Sequence, residues 1–325
     1  SNRMIAGDSL IAMNSLIAKE GLQNSVQTIY FDPPYGIKFA SNWQVSTKKT
    51  NVTHGKKTDI NREPEVIKAF RDTWHLGIHS YLNYLRDRIV LSHRLLDPTG
   101  SIFVQIGDEN IHLVRSLLDE IFGMENFISQ ITFRTNSPLS SQFLGKGIDF
   151  ILWYAKDKER IKYRSLFVEK DNSESSMYRY YENRNFEITR LNKIDQTSED
   201  FSKDKILRTS SLVSSGYTES CFYDFEFKGK KITRRDKSWK PNQIGMGRLI
   251  KANRLAMVGK VPEYKRYFND FPVQTLSNNW TDTFSDYKKL YVVQTPTKVI
   301  ERCILMTSDP GDLILDPTCG GGTTA

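Results

Sequence analysis

Apolar positions in the first 160 residues alternate between two periods. Leu10, Ile11, Met13, Leu16 and Ile17 recur at near-helical spacing and predict a helix over residues 8–20, with Asp8 as its N-cap. Val26–Phe31 is a short strand-like run. Residues 66–96 return to helical spacing and stop near the Asp97-Pro98-Thr99-Gly100 breaker. A buried strand over 101–106, a helix over 110–122 and strands over 127–134 and 148–155 follow. This alternation predicts an open, largely parallel α/β sheet with helices on both faces.

From residue 156 the pattern changes. Residues 156–288 are polar, charged and aromatic, with weak periodicity. Compact signals then return. Thr295-Pro296 has the N-cap/N1 arrangement of a helix start, and Val299, Ile300, Cys303 and Ile304 share one helical face. Asp309-Pro310-Gly311 ends that helix, and residues 312–316 form a strand. The expected organisation is one catalytic domain over 1–158 and 289–325, split by an inserted domain over 159–288. Residues 41–62 carry Lys48, Lys49, Lys56 and Lys57 with almost no apolar side chains, which predicts a loop that is either mobile or ordered only on a partner.

Charge then narrows the function. The 325 residues carry a formal charge of +8, which favours a polyanionic partner, nucleic acid first. Cys221, Cys303 and Cys319 form neither a disulfide framework nor a zinc pattern, which fits a reducing cytoplasm. No apolar run reaches the roughly 18 residues of a membrane span.

Val26–Phe31 leads directly into Asp32-Pro33-Pro34-Tyr35-Gly36. Ligands of open α/β sheets bind outside the carboxyl ends of strands, so this tetrapeptide lies where chemistry is expected. An exocyclic amine on a purine is a poor nucleophile because its lone pair is delocalised into the ring. The Asp32 carboxylate and the Pro33 carbonyl can accept its two N–H bonds, draw the nitrogen towards tetrahedral geometry and stabilise its developing positive charge. The prolines fix φ and so aim the carbonyl. Tyr35 offers a ring on which an extruded base stacks. Read more plainly, the same residues are a strand-terminating turn.

Asp32-Pro33-Pro34-Tyr35 resembles the catalytic motif of the amino-methylating DNA methyltransferases, in which Asp at the first position usually accompanies adenine and Ser accompanies cytosine N4. Leu315-Asp316-Pro317-Thr318-Cys319-Gly320-Gly321-Gly322-Thr323-Thr324 resembles their cofactor motif, with Thr318 and Gly321 departing from the usual Phe and Ser. Gln294-Thr295-Pro296-Thr297-Lys298, followed by Glu301-Arg302, resembles the helix before the cofactor strand. Catalytic motif first, long insert, cofactor motif last is an order that resembles the β class. The size of the insert resembles the modification subunits of type III restriction systems. The resemblance implies a Rossmann-like S-adenosylmethionine-dependent methyltransferase sheet, circularly permuted, with an inserted target-recognition domain. It implies methyl transfer to adenine N6 in double-stranded DNA by base flipping, with Asp32, Pro33, Pro34 and Tyr35 catalytic. It places Asp8, Thr295, Lys298, Asp316, Pro317, Gly320, Gly322 and Thr323 around S-adenosylmethionine, and implies a nuclease subunit and a second copy of the chain as partners.

The glycine turn reads the same way on its own physics. Gly320, Gly321 and Gly322 allow close backbone approach to a ligand. No Lys follows them, as a phosphate loop requires, and no Gly-x-Gly-x-x-Gly is present. Both absences favour a ligand without phosphate. Asp8 is equally readable as a helix cap and as a group near the cofactor adenine. By analogy with dinucleotide folds, an acidic residue ending the next strand holds the ribose. The sequence stops at Ala325, before any such strand, and so reads as a piece of something longer.

Residues 228–266 hold 13 Lys/Arg against Asp236 and Glu263, a local excess larger than that of the whole chain. Trp239, Tyr264, Tyr267 and Phe268 are interleaved with them. Arg234, Arg235, Lys237, Trp239, Lys240, Arg248, Lys251 and Arg254 are the expected DNA contacts. The plainer alternative is a solvated charged face. Trp153 and Tyr154, at a strand end, read either as core or as walls of a base pocket. Two rival functions stay open: a catalytically incomplete DNA-recognition module and an RNA-base amino-methyltransferase.

Overall fold

The computed structural model describes residues 2–35, 78–135, 144–170, 177–193, 201–233, 236–259, 261–283, 295–320 and 322–324. The chain divides into two compact units, Ser1–Leu166 with Leu276–Ala325, and Phe167–Thr275. The lysine-rich stretch at 41–62, the first part of the expected helix at 66–77, and Arg234 and Arg235 lie outside the described residues.

In the first unit, α1 (Ser9–Glu20) starts where Asp8 Oδ1 accepts the Leu10 N–H at 2.7 Å and stops at Gly21, whose φ of 67° suits a residue without a side chain. Strand β1 (Val26–Phe31) is buried at every position, as a central strand covered on both faces must be. Helix α2 (Ile78–Leu95) turns Tyr81, Leu85, Ile89, Ser92 and Leu95 inwards. Arg88 lies on the same buried stripe, and Asp8 matches its charge at 2.9 Å. Strand β2 (Leu96–Ile106), α3 (Ile111–Phe122), β3 (Phe127–Arg134) and β4 (Ile148–Ala155) follow.

The second unit contains β5 (Phe167–Glu169), β6 (Tyr180–Glu182), β7 (Ile188–Arg190), β8 (Ile206–Ser211), β9 (Phe225–Phe227), β10 (Lys230–Ile232), helix α4 (Gln243–Lys251), β11 (Leu255–Val258), β12 (Val261–Tyr267) and β13 (Val273–Thr275). Five of these strands form an antiparallel sheet in the order β11-β12-β8-β6-β7. Asn242 caps α4 by accepting the Gly245 N–H at 2.8 Å. Leu212, Phe227, Ile232, Trp239, Met246 and Leu255 form the apolar centre of this unit. Trp239 is 1% exposed, and its indole N–H donates to the Tyr223 carbonyl at 2.9 Å. This corrects the expectation that Trp239 meets DNA. It sits inside a basic run of sequence, but the fold buries it as a core side chain with its polar handle satisfied.

The chain completes the first unit with β14 (Asn279–Trp280), α5 (Thr297–Thr307) and β15 (Ile314–Leu315). Its sheet has the order β14-β3-β4-β2-β1-β15. Strand β1 is parallel to β2 and to β15, and β14 is parallel to β3, whereas β4 runs antiparallel to both β2 and β3. The mostly parallel sheet therefore carries one reversed strand. Period-two alternation is identical in either direction, so the apolar pattern of β4 does not encode its sense. Alternation does sort the side chains between faces. Ile29, Phe31, Ile102, Val104, Leu152 and Tyr154 pack with α1, α2 and α3. Tyr30, Phe103, Ile151 and Trp153 pack with Trp280 and with Val299, Ile300, Cys303 and Met306 of α5. Trp153 and Tyr154 are thus core residues on opposite faces. Gln27 Nε2 donates to the Thr307 carbonyl at 2.9 Å, and the Thr28 and Thr307 hydroxyls lie 2.9 Å apart, fastening α5 to β1. Among the described residues, no helix is long and apolar enough to cross a membrane.

Trp239→Ala should lower stability by about 3–5 kcal/mol, the usual cost of emptying a buried aromatic site. Denaturant unfolding followed by intrinsic fluorescence checks this, and an unchanged midpoint would contradict the packing described.

Candidate active site

Strands β1 and β15 pair in parallel, with Thr28 opposite Ile314 and Ile29 opposite Leu315. Their carboxyl ends therefore emerge on one edge of the sheet, carrying Asp32 and Asp316. The Asp32 N–H donates to Thr318 Oγ1 at 3.2 Å, across 286 positions of sequence. Asp316 organises the turn that follows it. Its Oδ1 accepts the Thr318 N–H at 2.9 Å and its Oδ2 accepts the Thr324 hydroxyl. Gly320 and Gly322 take φ values of 51° and 77°, a region that side-chain-bearing residues rarely enter. A Cβ on Gly322 would reach the tip of Met4 at 4.0 Å, so the N-terminal segment passes beside this turn.

A chain of hydrogen bonds runs outward from Asp32. The Thr295 hydroxyl lies 3.1 Å from Asp32 Oδ2 and 3.1 Å from Gln105 Oε1. It has one proton, so it donates to Asp32 when that group is ionised, and is free to donate to Gln105 when Asp32 itself carries a proton. Gln105 Oε1 also accepts the Tyr30 hydroxyl, and Gln105 Nε2 donates to the Tyr35 hydroxyl at 2.7 Å. The Tyr35 hydroxyl donates onward to Asp149 Oδ2 at 3.2 Å. Asn110 Nδ2 holds the Tyr35 carbonyl at 2.7 Å. A Cβ on Gly107 would come within 3.1 Å of the Tyr35 ring, so a glycine is what allows the ring to lie this close to the backbone. Both ends of Tyr35 are therefore fixed, and the ring face is what it has left to offer.

The electrostatics are one-sided. Burial pushes Asp32 up to about 7, against the lowering effect of the Thr295 hydrogen bond, and the negative charges of Asp316 and Asp149 push the same way as burial. Burial raises Asp149 to about 6, opposed by the Tyr35 hydrogen bond and reinforced by Glu109 and Asp108. Burial also raises Asp316, opposed by the bonds from Thr324 and Thr318. Among the described residues no basic side chain forms an ion pair with any of these three; Lys146, whose charge opposes the rise of Asp149, is paired with Asp108 and Glu109. Such a cluster favours a cationic ligand. Among the described residues, no group of His, Cys, Asp and Glu could hold a metal ion.

The predicted residues are thus partly gathered. Asp32, Tyr35, Thr295 and Asp316 belong to this network, with Pro33, Pro34, Pro317, Gly320, Gly322 and Thr323 on the same two turns. Thr295 does not cap α5, which starts after Pro296 without a side-chain cap. Its hydroxyl serves Asp32 instead. Lys298 is paired with Asp282 at 2.7 Å, and Arg302 shares that carboxylate, so the ammonium expected beside a cofactor is used on the protein itself. Asp8 is engaged by the α1 cap and by Arg88. Gln105, Asn110 and Asp149 were not anticipated. Gln105 had one available signal, an amide inside the otherwise apolar run Ile102–Ile106; Asp149 and Asn110 had none.

In the second unit, Lys237, Lys240, Arg248 and Lys251 are exposed. Arg254 is half-buried against Asp270 at 2.7 Å and lies 4.7 Å from the Tyr267 ring. Lys265 is buried against Glu182, which also accepts the Tyr267 hydroxyl. The basic run is therefore not one solvent face, because two of its cations neutralise internal carboxylates.

The family model described as DNA methylase, for the N6/N4 methyltransferases, matches residues 26–325. The type II methyltransferase M.EcaI of Enterobacter cloacae is 28% identical over 336 residues, covering 99% of this chain and 63% of that protein. The type III restriction-modification enzyme StyLTI Mod subunit of Salmonella typhimurium is 23% identical, covering 100% of this chain and 49% of that protein. The chain thus spans about half to somewhat under two thirds of the length of these relatives. Among solved structures, the DNA modification methylase TTHA0409 of Thermus thermophilus complexed with S-adenosyl-L-methionine aligns with 14% identity and a TM-score of 0.41, covering 100% of this chain and 82% of that one.

The raised Asp32 has a testable cost. The folded protein keeps this proton up to about 7, whereas an unfolded aspartate loses it near 4. Between those values the folded state binds the extra proton, so the group's contribution to stability falls as pH rises through this window and stays low above it. Asp32→Asn should therefore raise the melting temperature at about pH 8 and raise it clearly less at about pH 5, where only part of the cost has developed. Equal shifts at both pH values in a thermal scan would show that this carboxylate is not desolvated.

Proposed function

The chain belongs to the DNA methylase family, whose model spans residues 26–325, and from that premise we propose that it transfers a methyl group from S-adenosylmethionine to adenine N6 in double-stranded DNA. The observation that carries this reading is the Asp32 N–H bond to Thr318, which brings the Asp-Pro-Pro-Tyr turn and the glycine turn into one site.

The donor set suits the cofactor. S-Adenosylmethionine carries positive charge on its sulfonium and its amino group, and Asp32, Asp149 and Asp316 form a carboxylate cluster that such charge relieves. Asp316, Pro317 and the turn at Gly320–Gly322 would hold it. When bound, it supplies an electrophilic methyl group.

The chain's own residues then act on the base. Adenine N6 is buried in pairing within a duplex, so the base leaves the helix to react. The Tyr35 ring, fixed by Gln105, Asp149 and Asn110, receives it; such stacking is worth about 1–3 kcal/mol. Asp32 and the Pro33 carbonyl accept the two N–H groups. Thr295 donates to Asp32 and helps to hold it ionised for that task. The methyl group would pass to N6 with loss of its bond to sulfur, leaving a thioether; the positive charge developing on N6 faces Asp32 and the Pro33 carbonyl, and the ionised Asp32 would take the N–H proton released afterwards. Asp at the first motif position, where Ser goes with cytosine N4, supports adenine. The second unit, with its exposed Lys237, Lys240, Arg248 and Lys251, is the target-recognition part. Relatives named as Mod subunits support a role as the modification arm of a restriction system, with a nuclease partner.

Incubation with duplex DNA and labelled S-adenosylmethionine should yield N6-methyladenine on nucleoside analysis. Asp32→Ala should reduce transfer by at least about 100-fold, the scale of losing one preorganised electrostatic contact, while duplex binding survives. N4-methylcytosine as product would overturn the base assignment, and label entering RNA rather than DNA would overturn the substrate.

A further inference from the structure

The sheet of the second unit encloses one side of a cavity of about 240 Å³. Arg208 on β8 and Arg266 on β12 line it and stand directly opposite each other in the antiparallel ladder. Directly opposed residues share a face with Cβ atoms about 4.5–5.5 Å apart, and like charges there are destabilising. Among the described residues no carboxylate pairs with either arginine. Asp270, the acid on the same wall, is held by Arg254 at 2.7 Å and accepts the Tyr267 N–H at 2.8 Å. Arg208 Nε is buried with no hydrogen-bond partner, a state in which few polar atoms are left. A third cation converges on the same place. Lys170 Nζ donates to the Tyr178 hydroxyl at 3.4 Å and the Phe268 carbonyl at 3.3 Å. Lys170 and Arg208 lie 5.7 and 5.4 Å from the Tyr178 ring.

We propose that this cavity binds one backbone phosphate of DNA, held by Arg208, Arg266 and Lys170, with the Tyr264 ring offered to the adjoining nucleotide. Guanidinium forks match phosphate oxygens in two-point contacts, and an anion between the arginines removes their repulsion and gives Arg208 Nε an acceptor. Of the three cations only Arg266 belongs to the basic run of sequence; Arg208 joins it through pairing of β8 with β12, and Lys170, just after β5, through its bonds to Tyr178 and Phe268. The inference rests on the second unit being the DNA-recognising part, and it gives that role a specific place.

The test is fluorescence anisotropy of the whole protein with a labelled DNA duplex over a salt series. Each phosphate contact adds about −0.9 to the slope of log affinity against log salt. Arg266→Gln should weaken binding several-fold and make the slope shallower by about 1. Arg208→Gln/Arg266→Gln should weaken it at least about tenfold and make the slope shallower by about 1–2, with a melting temperature equal to or above wild type. If the double variant melts lower, Arg266→Gln alone decides, since its side chain is exposed. Wild-type affinity and slope in the deciding variant would overturn the phosphate site and leave DNA recognition standing. A wild-type protein that binds no duplex would overturn the DNA reading itself, and this inference with it.

Discussion

The site exists because a two-residue strand lies beside β1. Pairing Ile314 and Leu315 in parallel with Thr28 and Ile29 brings two turns, almost a full chain length apart, to the same edge of the sheet. Parallel pairing matters here because it puts both carboxyl ends together; an antiparallel β15 would carry its glycine turn to the far edge. The contact is small, and the parts around it keep it in place. Gln27 and Thr28 hold Thr307 at the end of α5, and Val299, Ile300, Cys303 and Met306 bury that helix on the face opposite α1–α3. Packing thus supplies the rigidity that two ladder residues alone lack.

Matched and unmatched charge occur side by side in both units. In the first, three carboxylates share a poorly hydrated region and none has a basic partner among the described residues, so Asp32 and Asp149 hold protons at pH values where aspartate is ordinarily ionised. In the second, Arg254 and Asp270 match each other, as do Lys265 and Glu182, whereas Arg208 and Arg266 stand opposite each other with no carboxylate partner among the described residues. Matched pairs hold a fold together, whereas unmatched ones destabilise it and are tolerated where chemistry uses them. That contrast separates site from scaffold without reference to any motif.

The first unit was legible where burial imposes a period. Strands β1, β3 and β4 occupy the apolar runs 26–31, 127–134 and 148–155, and α1 begins after a residue whose side chain caps it. Direction was not legible for β4, because alternation is symmetric. The second unit was nearly opaque, since many of its strands have three residues, too few to display a period. Its core tryptophan is surrounded in sequence by Lys237 and Lys240, which suggested a nucleic-acid contact; only the fold shows that Trp239 turns inward. Thr295 was misread for a related reason. A hydroxyl before a proline is a good helix cap locally, but Asp32 arrives from 263 positions away and competes for it. Gln105, Asn110 and Asp149 act through contacts that tertiary structure alone creates.

Strands β5 and β13 open and close the second unit and pair with each other, Glu169 opposite Val273. The polypeptide therefore enters and leaves that unit through neighbouring strands, about 5 Å apart. Whatever is threaded between those two points can lengthen, shorten or be exchanged wholesale while the stem keeps its geometry. An enzyme family built on such a stem can diversify what it reads by grafting, and inherit its chemistry untouched.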